Sequence, residues 1–479
     1  MGSLDKRFTQ ALILIFVICL VTLSPVTVKA TSPRTIIVPD DYPTIQAAID
    51  NANTGDTVFV RSGTYNQTIS INKSINLIGE GADSTFLTIP TIYAYAIDVP
   101  PPTTYVIEAN ANNVEISNFT IYQDNVGGVG ILTNGTGNQI NDLNFGSIET
   151  GIVVSGSNQY ISKNFIPNAE TGIQCNGQYN QIIDNILRGD TTCVFLSGSY
   201  NSVTENSVSA YEGIGIIVSN ANTNIIYNNE VSGGIHLTNA DYNIIYNNSL
   251  DSMGFGDLSP MKAASNNFIA GNTIEGAVDW GILVGYGSNN VFYGNLIANN
   301  GGYGHDGYGL ALGGIDIEVD NNLFYYNMFM NNSGGNFGTN WQVIGSNSFD
   351  NGSVGNYWDD YLTKYPNATE IDNSGIGNTP YLVYNNVTDN YPLMAPFDIS
   401  SISIQLPAWV NTLPNPLPTP SFPPQNLLKS SQPNPTPSLT PTSTSSIPEL
   451  SWLVIVPLLL SVFSVAVALR HRKTANLSK

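Results

Sequence analysis

The chain has 479 residues, with 36 acidic and 15 basic side chains and a formal net charge of −21. Between Thr31 and Glu449 the count is 35 acids against eight bases. Binding nucleic acid needs clustered Lys and Arg to neutralise phosphates, so this surplus excludes a nucleic-acid partner.

Residues 1–30 have the form of a secretory signal peptide. Lys6 and Arg7 precede an apolar run from Ala11 to Leu23, and Val28-Lys29-Ala30 offers small residues for cleavage. In the next segment, 31–110, Ile45, Ala48, Ile49 and Ala52 fall at i, i+3, i+4 and i+7, one face of a short helix. Pro43 suits its first turn. Strands are predicted around Val58–Val60, Thr68–Ile71 and Ile75–Ile78. The Pro- and Tyr-rich residues 90–110 read as an outward loop.

Residues 111–345 repeat one phrase, Asn-x-apolar-x-x-Asn-x-apolar. Its clearest copies start at Asn180, Asn201, Asn224, Asn243, Asn267, Asn290 and Asn322, spaced 21, 23, 19, 24, 23 and 32 residues apart. A second phrase, Gly-Ile-x-apolar, alternates with it from Gly130 onward. A fixed period of this size marks a solenoid. The Ile, Val, Phe and Tyr content makes short strands, and Asn and Gly at fixed offsets break them into turns. Stacked coils bring like Asn residues together, where their amides form a hydrogen-bonded ladder. The fold predicted is all-β: a right-handed parallel β-helix, handed as parallel crossovers are, of about 12 coils. An open apolar end needs a cover, and the helix near Ile45 is the expected N-terminal cap.

The opening TIQAAID…GDTVFVRSGTYNQTISINKSINLIGEG, the repeats, and the closing GNYWDDY…GIGNTPYLVYNNVTDNYPLM resemble NosD-like proteins of the pectate-lyase-like β-helix superfamily. The resemblance covers residues 35–398 and assigns 346–398 to a closing segment. It implies a copper-binding function, and calcium at the IDNSGIGN loop, where the family carries more acid. Copper needs clustered His, Met or Cys. This chain offers His236 and His305 some three coils apart, and Met253 and Met261 without a His beside them. The loop holds one acid, Asp372, with Asn373 and Asn378; Asp359 and Asp360 are the nearest supplementary carboxylates.

Residues 399–448 are rich in Pro, Ser, Thr and Asn and read as an extended stalk. Leu450–Leu469 is long and apolar enough to span a bilayer within a membrane helix assigned to 449–470. Arg470, His471, Arg472 and Lys473 then place the tail 471–479 inside. The Ile447-Pro448-Glu449 lead-in resembles archaeal surface-protein sorting signals. Nine Asn-x-Ser/Thr sequons lie outside the membrane segment, from Asn66 to Asn386, consistent with glycosylation of an exported chain. Cys175 and Cys193 fall in strands of adjacent coils, either as a disulfide or as two buried thiols.

Two groups of residues offer chemistry. Glu149, Glu170, Asp190 and Asp279 each precede a strand of the second phrase and form an acidic column. Carboxylates on adjacent or alternate coils would stand about 5 or 10 Å apart, a range that includes glycosidase pairs. The inserted interval between Asn290 and Asn322 brings Tyr303, His305, Asp306 and Tyr308 near Trp280, Tyr286 and Asp279. Aromatic rings beside polar groups suit a sugar, and a loop inserted into one coil marks a solenoid's binding face. Lys163, Arg188 and Lys262 stand isolated, so the basic subsites of an anionic-sugar lyase are missing. The sequence therefore points to an exported, membrane-anchored surface protein binding carbohydrate or neighbouring cell-envelope proteins, without a cofactor. A glycoside hydrolase using Asp279 and Asp306, a surface-layer spacer, and a copper-binding accessory protein are the alternatives.

Overall fold

The computed structural model describes residues 32–89, 104–123, 128–256, 263–301, 307–313, 319–338 and 345–407. The signal, most of the stalk and the membrane segment predicted above lie outside these residues. No helix among the described residues is long and apolar enough to cross a membrane.

Each coil contributes short parallel strands separated by turns, and the coils stack into a right-handed β-solenoid of about 11 turns. The strands of the first sheet turn their central residue inward and its neighbours outward, as the pleat requires. In Gln181–Ile183, for example, Ile182 is buried between an exposed Gln181 and a half-buried Ile183. Thirteen such strands form this sheet. Strict register puts Ile116, Ile140, Ile161, Ile182, Val203, Ile226, Ile245, Ile269, Phe292 and Phe324 in one column. None of the ten is exposed. Fully burying one such side chain stabilises by about 1.5–3 kcal/mol, so the column's register is strongly specified. The second sheet comprises two parallel ladders, fused where the 11-residue strands Phe165–Cys175 and Ile186–Leu196 run through both.

The asparagines do more than stack. In the first ladder the side-chain oxygen of each Asn accepts the backbone N–H of its counterpart one coil earlier: Asn180 from Gln159, Asn201 from Asn180, and onward through Asn224, Asn243, Asn267, Asn290, Asn322 and Asn347. A second ladder runs from Asn164 to Asn356 in the same way. The amide nitrogens donate to turn carbonyls, as Asn243 Nδ2 does to Ala221 at 3.2 Å. The ladders thus satisfy buried backbone groups at the turns, where no strand pairing is available. A left-handed backbone falls one residue before the ladder asparagines, on Tyr179, Tyr200, Thr223, Tyr242, Asn266, Asn289 and Asn321. That placement leaves the ladder Asn extended and aims its side chain inward.

The capping helix is Ile45–Asn51, with Ile45, Ala48 and Ile49 buried. Its N-cap is Thr44, whose hydroxyl accepts the Ala47 N–H at 3.1 Å; Pro43 stands outside the first turn. The predicted loop 90–110 is shorter than drawn, because Thr104–Ala109 is a strand in which Val106 and Ile107 are wholly buried.

At the other end Trp358 stacks between Phe329 and Tyr381, each 4.5 Å away centroid to centroid. Asp389 is fully buried there. Its Oδ2 accepts the Asn356 N–H at 2.7 Å and the Trp358 indole N–H at 2.9 Å, and so supplies the acceptor that the next coil's Asn would have supplied. The chain then turns back. Phe397 stacks on Tyr326 at 4.3 Å, and Ile402, Ile404 and Leu406 pack on the outer face of the first sheet against Ile225, Ile244, Tyr246, Phe268 and Ala270. Residues 399–407 are therefore a strap on the solenoid, not the start of the stalk; the alternating Ile402 and Ile404 find an apolar face to cover.

Candidate functional site

The sequence nominated one aromatic group, and the structure divides it. Trp280 opens the strand Trp280–Val284, and Tyr308 opens the strand Tyr308–Leu312 one coil further on. They are direct register partners, both half-buried, where the inserted interval joins the coil. Asp279 precedes Trp280, is exposed, and its carbonyl accepts the Tyr308 N–H at 2.8 Å. Tyr286 is elsewhere: it is only 2% exposed, in the turn that closes the coil. There its N–H and that of Gly285 both donate to the Phe255 carbonyl. It fills the turn and offers no open ring face. Tyr303, His305 and Asp306 lie outside the described residues.

The acidic column is interrupted. Glu149 and Glu170 are on adjacent coils, because Ile148 pairs with Ala169 and Thr150 with Thr171. Asp279 is five coils beyond Glu170, counted through Ile173, Val194, Ile216, Ile235, Met253 and Ile282. At about 4.8 Å per coil the two are some five times too far apart to be neighbours. The side chain of Asp190 is outside the described set.

Copper donors do not converge. His236 is half-buried and its Nε2 lies 3.3 Å from the Gly256 carbonyl. Met253 is 1% exposed in the core; Met261 and His305 are not described. Cys175 and Cys193 are free and buried. Burial pushes their thiols up to about 12 and about 11, so neither offers a thiolate. Among the described residues no three His, Cys, Asp or Glu side chains gather as a metal site. The described residues do not gather a donor set for copper.

The proposed calcium loop is held by its own side chains. The Asn378 oxygen accepts the Thr369 N–H at 3.1 Å, and its nitrogen donates to Thr369 Oγ1 at 2.8 Å. Asp359 receives the Asn336 amide at 2.7 Å, and Asp360 receives the Tyr381 hydroxyl at 2.9 Å. These carboxylates are held within the C-terminal cap and do not join the loop. Sequence reading missed the ladder-ending role of Asp389, a lone acid where the Asn phrase has run out.

Residues 49–254 match the family described as "Periplasmic copper-binding protein (NosD)", and residues 192–391 match "Right handed beta helix region". Over these residues the chain is similar to NosD-like proteins, and its fold is a right-handed parallel β-helix. No curated protein sequence matches it. Among solved structures it is similar to the A-module of the mannuronan C-5 epimerase AlgE6 of Azotobacter vinelandii, at 14% identity and TM-score 0.49, covering 64% of this chain and 93% of that one. It is also similar to the PL6 family alginate lyase AlyGC, at 17% identity and TM-score 0.46, covering 71% of this chain and 54% of the lyase. A third is the catalytic domain of a GH87 alpha-1,3-glucanase, at 15% identity and TM-score 0.47, covering 65% and 68%.

Proposed function

We propose that this protein is an exported, membrane-anchored β-helix that binds neutral carbohydrate of the cell envelope and does not cleave it. The observation that carries this reading is the Trp280–Tyr308 pair. Two aromatic residues are register partners on neighbouring coils, and the exposed Asp279 precedes the first of them. Ring faces beside hydrogen-bonding groups are the recurring chemistry of sugar recognition. The excess of acid over base opposes a polyanionic ligand.

The test is a neutral-glycan array probed with the full chain, followed by a Trp280→Ala, Tyr308→Ala double variant whose fold is checked by circular dichroism. The expected result is binding by the parent, loss of at least tenfold in affinity in the variant, and no reducing sugar released. Undiminished binding by a folded double variant would place the ligand elsewhere. Release of reducing sugar that stops in Asp279→Asn would show a hydrolase instead.

A further inference from the structure

In the turn that enters the first sheet, the residue just before the ladder Asn adopts a left-handed backbone in every coil from Gly137 to Asn321. Most coils place Gly or Asn there: Gly137, Asn158, Asn266, Asn289 and Asn321. Four consecutive coils do not. Tyr179, Tyr200, Thr223 and Tyr242 occupy it with φ of 59°, 61°, 61° and 57°. Bulky and β-branched residues pay conformational strain at such angles, and Asn would remove it. The side chains are therefore there for what they present.

They present an interrupted stack. Tyr179 and Tyr200 are stacked at 5.1 Å with planes 13° apart, so Tyr179 covers one face of Tyr200. The coil facing the other side of Tyr200 carries Thr223, which has no ring. Tyr242 follows on the next coil, 47% exposed. Two coil steps separate Tyr200 from Tyr242, about 9.6 Å. A ring placed midway would lie about 4.8 Å from each, inside the range of ring stacking.

The same molecule shows how such a gap is used. On the outer face of the first sheet, register aligns Tyr227, Tyr246, Ala270, Tyr293 and Tyr325. Tyr227 stacks on Tyr246 at 5.0 Å, and Tyr293 lies 4.9 Å from Tyr325. The missing ring at Ala270 is replaced by the strap: Ile404 packs there, so close that a Cβ added at Gly271 would stand 2.5 Å from its Cδ1. A broken tyrosine column in this solenoid accepts an insert.

We infer that the space over Thr223, between Tyr200 and Tyr242, is a second sugar subsite that takes one pyranose ring of a neutral glycan. Exposed Asn222 beside Thr223 supplies a polar edge, and the only cations between Asn158 and Asn266 are Lys163, Arg188 and Lys262, too few and scattered to recruit an acidic sugar. The choice of a sugar rests on the carbohydrate reading above; the slot itself does not involve Trp280 or Tyr308.

The experiment uses the full chain and neutral hexasaccharides of glucose and of mannose, read by saturation-transfer NMR and calorimetry. Tyr200→Ala is expected to weaken binding about tenfold. Thr223→Tyr is the sharper variant, because Tyr already occupies this turn in three neighbouring coils and should fold. It completes the stack and is expected to abolish the slot's contribution while leaving the melting temperature equal or higher. With the double variant Trp280→Ala, Tyr308→Ala, the Tyr200-dependent part of binding should persist. Binding by Thr223→Tyr equal to the parent overturns the inference, as does a parent that takes up neither hexasaccharide at millimolar concentration. Binding lost only in the Trp280, Tyr308 variant leaves the proposed function standing and removes this subsite.

Discussion

Asn243 is unexposed, and its side-chain oxygen accepts the Asn224 N–H at 2.9 Å while its own N–H donates to Asn267 at 2.8 Å. Asn243→Ala strands the Asn224 N–H inside the turn, where no water reaches it. The expected loss is roughly 1–3 kcal/mol, read as a lowered urea midpoint; an unchanged midpoint would mean the ladder carries no stability. Asp389 is the one ladder position held by a carboxylate. Burial pushes it up from the ordinary 3.8 to about 7, against the pull of the Asn356, Trp358 and Tyr391 N–H groups. Folding thus favours the protonated form. Its contribution is complete below pH 3.8 and is lost as pH rises through about 7. Hydrogen-exchange protection of the Asn356 amide should fall between pH 5 and pH 8, about where this group titrates. Asp389→Asn should flatten that profile, since an Asn oxygen fills the same place in every preceding coil. A parent profile already flat would show the carboxylate is ionised throughout. Among residues, the ladder asparagines were legible because their spacing repeats. Asp389 was not, because a single substitution at the end of a series has no period.

The coils were legible for the same reason: the inward Ile column repeats with the Asn phrase, so pattern and register agree. The strap was not. Ile399–Leu406 precedes a Pro- and Ser-rich stretch, and composition alone groups it with the stalk. Its fold comes from a partner surface more than 100 residues earlier in the chain, Ile225 to Tyr293, whose outward side chains are apolar where earlier coils carry Ser and Gln. The Trp280–Tyr308 pairing was legible as a coil-to-coil neighbour relation. Tyr286 was misread because sequence distance did not reveal the turn that buries it. The strap contains no β-strand, and among the described residues its apolar hold is by side chains. Ile404→Ala, at a site 3% exposed, should cost about 2 kcal/mol, the low end for a buried Ile, and most of that locally. Limited proteolysis should then cut at 399–407 while the coils stay protected. Equal cleavage in parent and variant would show that Ile404 does not hold the strap.

A solenoid gains its stability from neighbour-to-neighbour stacking, so its two ends are where it can fail or grow. At the N-terminal end the helix Ile45–Asn51 packs on the strands Thr35–Val38, Thr57–Val60 and Ile69–Ile71, and Thr35–Val38 is the outermost strand of the first sheet. Without the helix, apolar side chains of the first coil and an unpaired strand edge would face a second molecule, a template for end-to-end association. The charge of −21 works against that association over a range set by salt. The screening length falls from about 30 Å at 0.01 M to about 8 Å at 0.15 M ionic strength, so repulsion between whole molecules fades while the contact at the end survives. Ile45→Asp combined with Ile49→Asp removes the two largest buried side chains of the helix, which are 0% and 2% exposed. The expected outcome is a light-scattering mass that exceeds the parent's and climbs as salt is raised, with the circular dichroism of the coils retained. A variant that scatters like the parent at both salt concentrations, with its coils intact, would show that the helix is not needed as a cap and that the acidic surface suffices to keep the ends apart.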